Sequence, residues 1–212
     1  MHPRAPRLAT AALAGVLAGG SLAGCASSTP QPLGSLGGGT IRPAATDPVT
    51  TVPTAGTTLA SDFTVDVDVS LTGTATQITL LTQAKALILA YEQAVEENNP
   101  KDSTYLNLVT GLASTSLYES VSNYQSASQR PTGTLVFYQF TTDETPNEAA
   151  DVLFCENQAQ EKLVNFHTGA PMSSSDTGKQ HWDIGFKPGS GGTWTIAYVS
   201  AQALTAGSTQ CT

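Results

Sequence analysis

The sequence is poor in positive charge, in aromatic residues and in cysteine. Of its 212 residues only 9 are Lys or Arg, against 17 that are Asp or Glu, and the seven basic residues after position 24 form no patch. Proteins that bind nucleic acids draw most of their affinity from Lys and Arg contacts to phosphate, so we expect no nucleic-acid partner. Aromatic residues make up 7% of the chain, which favours their use in filling a core over lining a large cavity.

The common catalytic motifs are also missing. There is no G-x-S-x-G nucleophile elbow, no P-loop, no H-E-x-x-H metal motif and no C-x-x-C redox pair. Two of the three cysteines lie far from any histidine cluster, which makes a poor zinc site. The side chains that could serve in acid–base chemistry are His181, Asp183, His167, Tyr91 and Tyr138. Nothing in their spacing indicates catalysis, so we expect a protein that is not an enzyme, with no metal site and no cofactor.

No apolar run is suited to a permanent membrane span. The N-terminal run from Leu8 to Leu22 is uncharged but short and rich in small residues, and it follows the basic residues His2, Arg4 and Arg7. That layout is typical of a secretory signal peptide. Several glycines within the run argue against a buried helix, because each interior glycine costs about 1 kcal/mol relative to alanine. We therefore predict a signal peptide over residues 1–24.

The signal peptide ends on "LAGC", which is Leu22, Ala23, Gly24 and Cys25. This motif resembles the lipobox of bacterial lipoproteins. The resemblance implies that signal peptidase recognises Leu22, Ala23 and Gly24, cuts before Cys25, and leaves a diacylglyceryl group on the Cys25 sulfur. Two acyl chains at about 0.8 kcal/mol per buried CH₂ give stable anchoring. The expected location is the outer, extracytoplasmic face of the cell membrane, with membrane lipid as the partner of Cys25.

Assigning Cys25 to the lipid leaves an even pair, Cys155 and Cys211. In the oxidising environment outside the cytoplasm we expect these two to form a disulfide. Between Cys25 and residue 62 the chain consists mainly of Ser, Thr, Pro, Gly and Ala, a composition that cannot bury enough surface to fold. We predict a disordered tether over residues 25–62 and a folded domain over residues 63–212.

The folded part opens with a strand and continues with helices. Strict alternation from Phe63 to Leu71 predicts a half-buried strand at a sheet edge, with Asp66 and Asp68 on its solvent face. Apolar residues at steps of three and four then predict a long helix that ends at "ENNP": Leu81, Ala84, Ile88, Tyr91 and Val95. A second, shorter helix is expected from Asp102 or Ser103 to Gly111. A capping box formed by Ser116 and Glu119 predicts the start of a third.

From Thr132 onwards the composition of the sequence predicts strands. Four segments, "TGTLVFYQFTT", "AADVLFCEN", "HWDIGF" and "TWTIAYV", are rich in β-branched and aromatic residues, and "KPGSGG" predicts a hairpin loop between the last two. Period two places Trp182, Ile184 and Phe186 on one face, and likewise Trp194, Ile196 and Tyr198. Helices followed by an antiparallel sheet of about four strands predict an α+β fold.

This order of elements, a long helix, two shorter helices and about four strands, resembles that of the NTF2-like superfamily, and in particular of its exported actinobacterial members. The residues that carry the resemblance are Cys155 in "VLFCEN", the strand "GTWTIAYV" and the terminal "STQC" with Cys211. It implies a cone of three helices on a curved antiparallel sheet, with a possible extra N-terminal strand. A pocket between helix and sheet would be lined by aromatic side chains: Tyr91, Phe137, Tyr138, Trp194 and Tyr198.

These features favour a membrane-anchored, non-catalytic lipoprotein whose α+β domain binds a small hydrophobic ligand or an envelope partner. The alternatives are a scaffolding lipoprotein of a secretion or cell-wall system, or an NTF2-like isomerase or hydrolase, which would rest on fold analogy alone. Cavity volume separates the first two classes. A pocket of a few hundred Å³ with few polar groups would indicate a ligand, and a filled interior with an exposed apolar patch would indicate a protein partner.

Overall fold

The structure is a computed structural model and describes residues 57–145, 148–172, 178–205 and 208–212. Within these ranges it contains three α-helices, α1 (Ala75–Glu96), α2 (Ser103–Leu106) and α3 (Gly111–Ser126). It also contains six strands, which are β1 (Thr57–Ala60), β2 (Phe63–Val67), β3 (Gln129–Thr145), β4 (Ala149–Asn165), β5 (Lys179–Pro188) and β6 (Trp194–Ala203). The predicted signal peptide, lipobox and tether up to residue 56 lie outside the described residues.

All six strands belong to one sheet in the order β1-β2-β3-β4-β5-β6. The pair β2–β3 is parallel, with Val65 opposite Leu135, and the other pairs are antiparallel. The fold is therefore α+β, as predicted, but the sheet is mixed and larger than the antiparallel sheet of about four strands that was expected. The parallel pair forms because all three helices lie between β2 and β3, and a crossover of that length allows the chain to return in the same direction.

The N-terminal strands differ from the prediction, and β2 ends at Val67, before the predicted end at Leu71. Strand β1 begins at Thr57, upstream of the boundary placed at Phe63, and it pairs antiparallel with β2. Because β1 covers one side of β2 and β3 covers the other, β2 is not an edge strand. The short Thr-rich sequence of β1 has no apolar alternation, so composition alone assigns it to the tether.

Three helices are present, as predicted, but α2 ends at Leu106, before the predicted stop at Gly111, and α3 begins earlier than predicted. Helix α1 has a capping box in which the Gln77 N–H donates to Thr74 Oγ1 (3.2 Å) and the Thr74 N–H donates to Gln77 Oε1 (2.9 Å). Helix α3 begins at Gly111, so the predicted capping box at Ser116 lies inside the helix. The start is set by a tertiary contact instead, since the Thr110 N–H donates to the Ile196 carbonyl of β6 (2.9 Å). None of the helices in the described ranges is long and apolar enough to cross a bilayer.

The helices pack on one face of the sheet, which we call the inner face. It carries Val65, Phe137, Phe154, Trp182 and Ile184, each of which is buried in the hydrophobic core. The shared face predicted for Trp182, Ile184 and Phe186 is confirmed, since all three side chains are buried. The opposite, outer face follows from the strand register and carries the intervening side chains.

The sheet contains several β-bulges, and two of them change the faces of residues discussed below. In β3, the two residues between Tyr138 and Thr141 lie opposite the single residue Phe154 of β4, and one of the two, Gln139, has a φ of +57°. In β6, Phe186 pairs with Ile196 but the adjacent Gly185 pairs with Tyr198, so one extra residue is inserted. The prediction that Tyr198 shares a face with Ile196 is therefore wrong, because the bulge turns Tyr198 to the outer face.

Candidate functional site

The interior between the helices and the inner face is filled. The space there has a volume of about 10 Å³, roughly that of a single water. Its lining comes from both layers: Leu87, Ile88, Tyr91, Leu117, Phe137, Trp182 and Ile184. The Trp182 indole occupies the centre, stacked on Phe154 with ring centroids 5.8 Å apart and in edge contact with Tyr91 at 6.2 Å.

The predicted pocket residues are not gathered in one place. Tyr91 and Phe137 line the small interior cavity. Tyr138 lies on the outer face, Trp194 is half-buried at the start of β6, and Tyr198 is 45% exposed. The structure therefore divides the predicted lining between the two faces of the sheet, so among the described residues these five side chains do not line one pocket.

The interior contains buried polar side chains that were not predicted from the sequence. Glu92 of α1 and Glu156, Gln158 and Glu161 of β4 are all buried. Glu156 accepts hydrogen bonds from Trp182 Nε1 (2.5 Å) and from Gln158 Nε2 (2.7 Å), so both of its oxygens are engaged. The alternation of β4 could have predicted Glu156, because a residue two positions after the core residue Phe154 must also point inward.

These buried groups have little access to a substrate. Tyr91 and Ser120 share a hydrogen bond of 2.7 Å between their hydroxyl oxygens, and Glu156 is held by its two donors. General acid–base catalysis needs a side chain within hydrogen-bond reach of a reacting atom, and a space of about 10 Å³ does not admit one. Over the described ranges, no group of three or more His, Cys, Asp or Glu side chains is arranged to hold a metal ion.

Open space lies instead at a groove beside the disulfide, which we call the outer groove. Its volume is about 430 Å³. Its lining comes from the β3 bulge, from β4 and β5, and from the C-terminal segment. The lining residues are Gln139, Phe140, Thr141, Leu153, Phe154, Cys155, His181, Gln210 and Cys211.

The predicted disulfide between Cys155 and Cys211 is present, with the two Cα atoms 5.5 Å apart. It fixes the C-terminal segment to the outer face of β4. The Cys211 carbonyl accepts hydrogen bonds from the Tyr138 hydroxyl (3.0 Å) and from Lys179 Nζ (2.6 Å), and Gln139 Nε2 donates to the Thr212 carbonyl (2.6 Å). One wall of the outer groove is therefore set by a covalent bond and three hydrogen bonds.

Carboxylates on the outer face lie beside this groove. Asp183 is directly opposite Leu153 in the β4–β5 pair, and Asp143 is directly opposite Asp151 in the β3–β4 pair. Burial raises the pKa of Asp183, the charge of Asp151 raises it further, and His181 lowers it. The pKa of Asp151 is also raised, first by burial and then by the charge of Asp143. The predicted placement of His181 and Asp183 on one face is confirmed, and both belong to the outer face.

Comparison with known proteins does not identify a family for the chain. No family model matches the chain, and no curated protein matches it in sequence. Among solved structures, the chain is similar to a protein of Novosphingobium aromaticivorans DSM 12444 provisionally named a scytalone dehydratase. The identity is 8%, the TM-score is 0.41, and 61% of this chain and 87% of that chain are covered.

A second protein of Novosphingobium aromaticivorans, provisionally named an aromatic ring hydroxylase, is similar at 11% identity. Its TM-score is 0.38, and the match covers 58% of this chain and 88% of that one. With TM-scores below 0.5 and identities near 10%, these two similarities support no conclusion about the fold or the activity of the chain.

Proposed function

We propose that this chain is a lipid-anchored protein of the extracytoplasmic membrane face whose α+β domain is a non-catalytic docking module for another envelope protein. The observation that carries the proposal is the location of open space. The interior, where a pocket was expected, holds about 10 Å³, whereas the outer groove holds about 430 Å³. The filled interior argues against a ligand pocket between helices and sheet, and the open, partly apolar groove on the sheet supports docking of a protein.

The anchor is part of the same proposal. The "LAGC" motif at Cys25, the basic start and the uncharged run support lipidation, and the disulfide supports an oxidising compartment. The NTF2-like assignment is supported by the chain order of one long helix, two shorter helices and four long strands. In this proposal the tether lets the domain reach partners away from the bilayer surface.

The docking part of the proposal is tested by photo-crosslinking in the native host. We place p-benzoyl-phenylalanine at Thr141, an exposed residue of the outer groove, and, as a matched control, at Leu112, which is 71% exposed on α3. We expect a crosslinked envelope protein from Thr141 and not from Leu112. Crosslinking from Leu112 alone, or from neither position, would rule out docking at the outer groove.

The anchor is tested by the substitution Cys25→Ser. Loss of the thiol removes the acceptor for the diacylglyceryl group, so the protein should leave the membrane fraction for the medium or accumulate as uncleaved precursor. A Ser35→Ala variant in the same predicted tether serves as the control and should stay with the membrane. Unchanged membrane retention of Cys25→Ser would contradict the lipoprotein assignment.

The volume of the outer groove favours a second candidate function, the binding of a small hydrophobic ligand. Ligand pockets commonly measure about 300–1,000 Å³, and the groove falls within that range. Native mass spectrometry of protein purified from its own host separates the two functions. A retained non-protein mass that disappears on organic extraction would indicate a ligand. A bare chain would leave the docking function as the better account of the groove.

A further inference from the structure

The outer groove is continuous with an acidic rim on the same face of the sheet. Leu153, in the lining of the groove, pairs directly with Asp183 of the neighbouring strand. Asp151 lies two residues before Leu153 on β4, so it shares the outer face, and Asp143 pairs with it from β3. Since neighbouring strands are about 4.8 Å apart, one bound chain segment can contact the apolar lining and the carboxylates together.

Over the described ranges, none of these three carboxylates forms an ion pair with a Lys or Arg side chain. Lys179 donates to the Cys211 carbonyl (2.6 Å) and its Nζ lies 5.8 Å from the centre of the Tyr138 ring, so it is engaged at the C-terminal segment. Within the described part of the chain, the Asp183 oxygen Oδ1 is buried and accepts no hydrogen bond. Like charges directly opposite each other in a sheet are destabilising, which leaves this rim suited to an added cation.

We propose that the partner docks through a cationic segment, in which an apolar side chain fills the outer groove against Leu153 and a neighbouring Lys or Arg side chain pairs with Asp183 and Asp151. This proposal rests on the proposed docking function and specifies the chemistry of its partner. Anchoring in such interfaces comes from a side chain seated in a pocket, and charge complementarity at the rim sets partner choice and association rate. An arginine suits the rim because its guanidinium can donate to two carboxylates at once.

A protein cation fits this rim better than a metal ion. Calcium takes six to eight oxygen ligands from chain that wraps around it, whereas these carboxylates project from flat strands. The described residues also contain no group of side chains arranged to hold a metal. A long, flexible cationic side chain, by contrast, needs only an open approach to the sheet face, which the groove provides.

The test repeats the Thr141 crosslinking in full-length protein with the paired substitutions Asp151→Asn and Asp183→Asn. The control is Asp68→Asn, an exposed aspartate at the end of β2. We expect the crosslinking yield to fall about tenfold in the paired variant and to stay unchanged in the control. Raising the salt concentration should also lower the yield of the wild-type protein. Mass spectrometry of the crosslinked peptide should place a Lys or Arg beside the crosslinked apolar residue.

The outcomes separate this inference from the function on which it rests. A Thr141 crosslink that persists in the paired variant, or a crosslinked segment without Lys or Arg, overturns the cationic partner and leaves the docking function standing. If no protein is crosslinked at Thr141 in the wild-type chain, both are overturned. Thermal unfolding of the paired variant establishes that a lower yield does not come from an unfolded domain.

Discussion

Removal of the disulfide should lower the stability of the domain by an amount that its chain separation sets. Cys155 and Cys211 are 56 residues apart, so the bond closes a long loop and restricts the unfolded chain. The loop-entropy relation gives a loss of about 4 kcal/mol for a loop of this length. For a domain of about 150 residues, that corresponds to a decrease in melting temperature of about 10 °C. The variant of choice is Cys155→Ala with Cys211→Ala, which removes little more than the two sulfur atoms.

The assay is urea unfolding followed by circular dichroism, with the wild-type protein measured with and without a dithiol reductant. Reduction should destabilise the wild-type protein and leave the double alanine variant unchanged. As a matched control, Gln139→Ala removes one hydrogen bond from the same C-terminal segment, to Thr212, and should cost only about 1 kcal/mol. If the double variant loses no more than this control, the restriction of the unfolded chain is not what stabilises the domain.

Three further changes test other parts of the structure. Gly133 has a φ of +85°, and a Cβ there would lie 2.2 Å from a β4 carbonyl oxygen. Gly133→Ala should therefore lower the free energy of unfolding in urea by about 3 kcal/mol or more. Gly191→Ala, where the Cβ would meet open space, should lower it by about 1 kcal/mol. Equal losses for the two would argue against the close approach. Trp182→Phe removes a buried donor to Glu156 and should cost about 2 kcal/mol, which an unchanged unfolding midpoint would contradict. Asp183→Asn should stabilise the domain at pH 7 and lose this effect at pH 3, as calorimetry can show.

Local periodicity was sufficient to predict most of the elements. The apolar steps from Leu81 to Val95 and the alternation from Trp182 to Phe186 depend only on which face of an element is buried, and the structure buries those faces. The cysteine pair was predictable because the assignment of Cys25 to the predicted lipobox leaves a single pairing for the other two cysteines. These features are encoded by neighbours in the sequence or by counting, without knowledge of the tertiary fold.

The features that were missed depend on contacts between distant segments. The short strand β1 and the parallel β2–β3 pair are stabilised by sheet partners, and neither leaves a periodic pattern of its own. The start of α3 is fixed by the hydrogen bond from Thr110 to Ile196, which lies far along the chain. The outward turn of Tyr198 requires a bulge, and its nearest sequence signal is Gly185, where a Cβ would lie 3.2 Å from the Tyr198 Cβ.

The candidate site was less predictable than the fold because it combines residues from four separate segments. His181 and Asp183 were recognised as sharing a face, but their position beside Leu153 follows from the β4–β5 register. The lining of the groove combines the β3 bulge with the disulfide-held C-terminal segment and with residues of β4 and β5. Period two indicates which face a side chain occupies, and it does not indicate which neighbour it meets across the sheet.

Replacing Asp183 should raise the stability of the domain and weaken docking. These opposite effects distinguish a carboxylate that binds a partner from one that stabilises the fold. Burial and the charge of Asp151 raise its folded-state pKa above the ordinary value of 3.8. The folded protein therefore binds the proton more tightly than the unfolded chain, so the unfolding free energy falls as the pH rises above 3.8 towards the folded-state pKa. Asn carries no charge and escapes this loss, so Asp183→Asn should be more stable at neutral pH.

A carboxylate present for structure would behave differently, because its removal would lower the unfolding free energy and leave docking unaffected. If Asp183 instead pairs with a cation on the partner, Asp183→Asn should unfold at a higher temperature and still crosslink less from Thr141. Measuring both quantities on the same preparation excludes misfolding as the cause of weaker crosslinking. A variant that is less stable at pH 7, or that crosslinks as well as the wild type, would show that the outer-face carboxylates are not placed for a cationic partner.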